Sequence, residues 1–220
     1  MDAWVAYSDY LLPQRLSDLA TNAIRPDIIE LLTWNDFCES HYLRDLPGEA
    51  ETDTDYVTMG DMAGYVNGMN HAPWRIIAKY YIEWWKTGAP PVITMDQVVF
   101  WYRIHPKDTQ CASGMSAGPI RNAEMPADAV FAWALVREEA RINVSVGGNS
   151  VSFSADGNGP QMAMVEFPAD VPYAGVRPRA SISRDGGVVH EGEGSVAVST
   201  SCDRANFNPV VNLVGEGINQ

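Results

Sequence analysis

The sequence predicts an α/β segment of parallel type followed by an all-β sandwich. A short apolar run, Ile28, Ile29, Leu31 and Leu32, follows a helical pattern and ends in a cluster of polar side chains, the composition of a strand buried on both faces. A second apolar stretch, 98–105, follows a second helical pattern. From residue 128 the pattern changes to short alternating segments separated by turn residues, as a sandwich requires.

Taken in order, residues 13–24 read as a helix, with Pro13 at the first helical position and Leu16, Leu19, Ala20, Ala23 and Ile24 along one face. Pro26 ends it, and 27–33 forms the first strand, so that helix, strand and polar loop make one αβ unit. The stretch 43–70 is a long loop; its acidic half suits either a solvated excursion or a lid. Its later half carries Tyr56, Met59, Met62 and Tyr65 and is expected to fold against the body of the protein.

Pro73 opens a second helix to about residue 86, with Gly88 placed to end it. Trp84 and Trp85 invite sugar stacking, but their helical spacing with Ile77, Tyr80 and Tyr81 favours packing on a sheet. In the strand 98–105, Val98, Phe100, Tyr102 and Ile104 share one face, and Val99, Trp101, Arg103 and His105 the other. A Gly-, Ser- and Pro-rich connector leads to seven short strands, with hairpins at Gly147-Gly148 and Asp185-Gly186. Trp133 sits in an alternating apolar strand and is expected in the core. The expected organisation is therefore 1–106, a linker 107–127, and a sandwich 128–220.

The chemistry gathers at the end of the first strand. In parallel α/β architectures side chains converge at the carboxyl ends of strands, which makes Asp36 and Glu39 the first acid/base candidates. Glycosidic hydrolysis needs such a pair, one carboxyl to protonate the leaving oxygen and one to activate water or attack carbon. On an irregular loop the two can splay to the roughly 6.5–9.5 Å that an inverting mechanism uses. The D-x-x-E form equally suits a capping arrangement, and both readings stand at this point. If the two strands are neighbours, Arg103 and His105 approach the pair; Arg103 also suits pairing with a structural carboxylate. A Cys38–His41 nucleophile lacks any third orienting group. His41, His71, His105 and His190 show no metal-binding spacing, and no phosphate-cradling glycine loop is present, so neither metal nor cofactor is expected.

Composition narrows the partners. With 46% hydrophobic and 20% charged residues the chain is globular, and a net charge of -13 disfavours nucleic acid and anionic membrane surfaces. No stretch reads as a membrane span, and the first residues do not read as a signal peptide. Of three cysteines, Cys111 and Cys202 bracket the tail and can close it in an oxidising compartment; three buried thiols are the alternative. Asn143-Val144-Ser145 is an N-glycosylation acceptor pattern on an expected strand.

The string TWNDFCESHY (33–42) resembles the signature of glycoside hydrolase family 71, the fungal endo-α-1,3-glucanases or mutanases. The segments YVNGMNHAPWRIIAKYYIEWWKTGAPP and VVFWYRIHPKD are similar to the helix and strand that come after that signature in the family, in the same order. The resemblance implies the carboxyl-terminal part of a TIM (β/α)8 barrel ahead of the sandwich, because eight βα units need at least about 200 residues. It implies α-1,3-glucan hydrolysis with inversion, Asp36 as general base and Glu39 as general acid. Trp34, Asn35, His41 and Tyr42 would line the glucan cleft with Arg103 and His105 nearby, in a monomeric protein of the extracellular space or cell wall. Cys38 stands where the family usually has glycine, so a left-handed backbone there would be strained. The alternative function is a non-catalytic, carbohydrate-binding wall protein in which Trp133 or Tyr173 forms a platform on the sandwich.

Overall fold

The computed structural model describes residues 5, 7–46, 58–112, 121–169 and 175–217. Its helices are α1 (Leu11–Thr21), a 3-10 turn (Gly60–Met62) running into α2 (Ala63–Val66), and α3 (Trp74–Thr87). Its strands are β1 (Gln97–Arg103), β2 (Ala129–Leu135), β3 (Ala140–Val146), β4 (Asn149–Ala155), β5 (Gln161–Glu166), β6 (Arg179–Arg184), β7 (Gly187–Glu193) and β8 (Pro209–Gly215). They form two four-stranded antiparallel sheets, ordered β5-β2-β1-β8 and β4-β3-β6-β7.

The sheets pack face to face through Val98, Phe100, Val130, Ala132, Ile142, Val144, Ile182 and Val210, the alternate residues of each strand. The other face of the first sheet is also dry. Val99, Trp101, Phe131, Trp133 and Val211 meet Leu16 and Ala20 of α1 and Ile76, Ile77, Tyr80 and Tyr81 of α3. The architecture is thus three layers, helices on sheet on sheet.

This layering explains the main departure from expectation. No barrel is present among the described residues. Strand β1 is buried at every position, as a parallel barrel strand would be, yet it pairs antiparallel with β2 and β8. Its second buried face is covered by the helical layer. The connector 107–127 therefore joins two strands of one sheet. The expected strand 27–33 is irregular chain: Ile28 is 82% exposed and Leu32 70%.

Other expectations hold locally. Gly88 ends α3 in the left-handed region (φ 80°), donating its N–H to the Trp84 carbonyl. Trp84 and Trp85 are partly buried against the helix–sheet core, and the Trp85 indole donates to the Pro26 carbonyl at 3.1 Å. Both hairpins form, Val146 facing Asn149 and Arg184 facing Gly187. The alternating segment 195–199, one of the seven strands the pattern suggests, contributes only a bridge from Val198 to Val176, and β8 takes the sheet position beside β1.

One covalent and one ionic tie join distant parts of the chain. Cys111 and Cys202 form a disulfide across 91 residues of sequence. Asp96, fully buried just before β1, accepts from both terminal nitrogens of Arg184 (2.7 and 2.8 Å) at the end of β6, and from the Arg137 backbone (2.9 Å) and guanidinium (3.2 Å) after β2. One carboxylate thus joins both sheets at one end. Gly215 makes room for the Asp96 backbone, whose carbonyl oxygen a Cβ there would strike.

Candidate functional site

The loop 33–44 closes on itself. Thr33 N–H donates to the His41 carbonyl (3.0 Å), Leu43 N–H to the Thr33 carbonyl (3.1 Å) and Arg44 N–H to the Trp34 carbonyl (2.8 Å). The Thr33 hydroxyl accepts from Asp36 N–H at 2.9 Å and donates to the His41 carbonyl at 3.3 Å. The non-glycine residues at positive φ among the described ones are Ser40 (62°), Asn122 and Asp185. Cys38 is therefore free of the left-handed strain expected for it, and the turn places that conformation on Ser40.

Beneath the loop lies a small core of its own, Phe37 and Tyr42 against Met59, Ala63 and Val66. The later half of the long loop folds here from residue 58, as expected; Tyr56 and the acidic half lie outside the described residues. Tyr42 is completely buried, which removes it from the expected cleft lining. Its phenol donates to the Met69 carbonyl and accepts from Asn208 Nδ2 at 3.1 Å, and its ring stacks on His71 with centroids 4.0 Å apart. His71 in turn reaches the Pro209 carbonyl (2.9 Å) with Nε2 and the Tyr42 carbonyl (3.2 Å) with Nδ1. Tyr42, His71 and Asn208 thus tie the loop to the start of β8. Sequence periodicity does not mark any of them as an anchor, because their contacts span up to 166 residues.

Burial raises the Tyr42 phenol above its ordinary range, so it stays a neutral donor. Burial also pushes the His71 imidazole down to about 4, against the pull of its carbonyl partners. The unfolded chain takes up that proton near pH 6.5 and the folded one only near 4, so stability is full above 6.5 and falls as pH drops toward 4. Urea titrations should show the folding free energy declining by up to about 1.4 kcal/mol per pH unit within that window from this residue. His71→Gln should flatten the decline; an unchanged slope would remove His71 as its source.

Above this base the polar side chains converge. Asp36 Oδ1 accepts from Glu39 N–H at 3.2 Å, while His41 Nε2 lies 3.0 Å from Glu39 Oε2 and 3.9 Å from Asp36 Oδ2. One oxygen of each carboxylate and the imidazole nitrogen lie within 4.8 Å of one another. The pair is therefore closer than the separation expected for inversion. Half of the capping arrangement is realised, but residues 37–40 form a turn rather than a helix, and the Asp36 and Glu39 carboxylates stay close together on the loop surface. Both side chains meet solvent, Asp36 at 38% and Glu39 at 67% exposure. This trio is also the set of described residues that geometry would allow to grip a cation, but all three are open to water, unlike a closed structural site.

Trp34 and Asn35 are exposed beside the trio, with the Arg75 guanidinium 5.9 Å above the indole and paired to Asp45 at 2.9 Å. A groove of about 400 Å3 runs from Leu31, Trp34 and Leu43 to Ala78, Ile82 and Lys86 of α3. Arg103 and His105 do not join the trio. Arg103 is buried, bonded to Asp9 (3.3 Å) and the Ala127 carbonyl (2.7 Å), the structural-carboxylate arrangement. His105 bonds the Ser199 carbonyl at 2.9 Å and lines a separate cavity with Pro106, Gln110 and Phe207. Their convergence on the pair requires 27–33 and 98–105 to be neighbouring strands, and only the second is a strand. Trp133 is fully buried and offers no platform, and Tyr173 lies outside the described residues.

Comparison with known proteins bears on this site. The chain is 29% identical over 206 residues to the glucan endo-1,3-alpha-glucosidase of Schizosaccharomyces pombe, covering 93% of this chain and 44% of that protein. It is 29% identical over 224 residues to a mutanase of Penicillium rubens, covering 98% and 46%, and 26% identical over 191 residues to the ascus wall endo-1,3-alpha-glucanase of Schizosaccharomyces pombe, covering 84% and 43%. The chain thus spans less than half the length of these relatives. No solved structure matches it. The model of glycosyl hydrolase family 71 matches residues 1–219, both the acidic loop and the sandwich, and the chain belongs to that family.

Proposed function

We propose that this chain is the carboxyl-terminal part of an inverting α-1,3-glucan hydrolase that acts on cell-wall glucan outside the cell, with Asp36 and Glu39 as its acid/base pair. The observation that carries the reading is the meeting of two solvent-facing carboxylates with His41 on a loop anchored from beneath by Tyr42 and His71. Asp36, held by the Glu39 N–H, is the fixed member and orients the attacking water as general base. Glu39 is the exposed member; released from His41, it turns outward to protonate the leaving oxygen, which opens the separation that inversion needs. Trp34 offers a flat apolar face to a sugar ring, and Asn35 and His41 offer hydrogen bonds.

The apolar face around the loop supports the reading of a part. Ile24, Ile28, Leu32 and Trp34 are more than half exposed, and the groove beside α3 places Leu31, Leu43, Ala78 and Ile82 among the charged Arg75, Lys79, Glu83 and Lys86. Relatives more than twice as long supply enough further polypeptide to cover such a face, and we assign that role to the remainder of the catalytic domain. No helix of the described residues is long and apolar enough to cross a membrane, and the Cys111–Cys202 disulfide suits an oxidising compartment.

The test is hydrolysis of insoluble α-1,3-glucan by a polypeptide as long as the relatives. Asp36→Asn and Glu39→Gln should each lower the rate by about 100-fold or more, the usual contribution of a positioned acid or base. Rates retained within about tenfold in both variants would exclude the pair.

A further inference from the structure

The acceptor pattern at Asn143 gains a structural setting that its sequence alone lacks. Of all the asparagines, Asn143 is followed two residues on by a serine or threonine with a non-proline between them; no other asparagine is. It lies on β3, an inner strand of the second sheet, where burial alternates: Ile142, Val144 and Val146 face the core, and Arg141, Asn143 and Ser145 face solvent. The amide and the hydroxyl of the pattern therefore stand on one side of the strand.

The surroundings of the amide are small. Asn143 pairs with Ser152 on β4 and Ser181 on β6, and Ser150, Ser154 and Ser183 continue the same outer face. No long side chain comes from the residues directly opposite, and Asn143 itself is half-buried on this face. Asn143 Nδ2 donates to Ser152 Oγ at 2.8 Å. An amide nitrogen carries two hydrogens, and N-glycosylation replaces one, so this bond survives modification. The serine patch is also uncharged, flanked along the sheet by Arg141 and Arg179 and by Glu191 and Glu193, and the exposed apolar side chain beside it, Val188, pairs with Ser183 rather than with Asn143.

We infer that Asn143 is an N-glycosylation site whose glycan stands on the serine face of the second sheet. The step is a transfer: Nδ2 forms a bond to C1 of an oligosaccharide carried on a lipid diphosphate, one amide proton leaves, and the lipid diphosphate departs. The inference rests on passage through the secretory route, for which the Cys111–Cys202 disulfide is the structural support. It does not depend on the acid/base assignment, and loss of glucanase activity would leave it standing.

The full chain, carrying a cleavable secretion leader and an independent acceptor tag at its tail, is expressed in a eukaryotic secretory host. Peptide mass spectrometry after enzymatic deglycosylation should show Asn143 converted to aspartate in most molecules of the soluble, disulfide-bonded fraction. Ser145→Thr should keep the modification, while Asn143→Gln and Ser145→Ala should each lose one glycan. A folded chain glycosylated at the tag and bare at Asn143 would overturn the site. So would a glycan confined to molecules lacking the disulfide, because the folded face would then not accommodate it.

Discussion

Replacing Asp96 by alanine is expected to destabilise the fold by about 3–5 kcal/mol, the cost of removing one partner from a buried ion pair. The cost arises from what remains: Arg184, only 13% exposed, keeps its charge and loses its two shortest acceptors, keeping the Glu138 carboxylate and the Glu138 and Glu139 carbonyls at 3.3 Å. Burial alone would raise the Asp96 carboxyl, but the two guanidiniums outweigh it and hold it well below the usual carboxylate range. Its folded value therefore lies below its unfolded one. The stabilisation is full above about pH 4 and is lost as acid carries the protein down toward the folded value. Arg137→Ala should cost less, because that side chain is 45% exposed and solvent screens its pairing. Urea unfolding of both variants checks the ranking, and a loss below about 1 kcal/mol for Asp96→Ala would show that the carboxylate is not the tie described here.

Removing the disulfide is expected to cost about as much by a different route. Closing 91 residues of chain restricts the unfolded ensemble by about 4–5 kcal/mol in the chain-entropy model. For a protein of this size that corresponds to a fall in Tm of about 10–20 °C for Cys111→Ser combined with Cys202→Ser. Because the effect acts on the unfolded state, the denaturant slope should steepen as that state expands. A double variant that unfolds within about 2 °C of the parent would mean the crosslink closes nothing the fold had not already closed.

The acidic loop was legible because its chemistry is local. Asp36, Glu39 and His41 lie within six residues of one another, and a closed loop of that size brings them together whatever sheet lies beneath. The fold was legible where periodicity reports a single face, as in β3 and at both hairpins. It failed where one pattern has two causes. Ile28 and Leu32 are apolar like a buried strand, but in this chain they face solvent, since nothing in the period says which polypeptide covers a side chain. Strand β1 is apolar on both faces because helices lie over an antiparallel sheet, and its composition matches that of a parallel barrel strand. Strand β8 escaped notice because Asn212 interrupts its run; that amide oxygen accepts from Ser195 N–H at 2.8 Å. The Tyr42, His71 and Asn208 anchor was illegible for want of any local signal.

The place of β1 between β2 and β8 limits how this protein can be dissected. A fragment excised after the connector would keep both flanking strands and lose the one that unites them, baring two rows of amides and carbonyls along with the indole of Trp133. Such a truncation should clump rather than report on glycan affinity, so any subcloning of the sandwich has to begin upstream of α1, which keeps both β1 and the helical cover of Trp133.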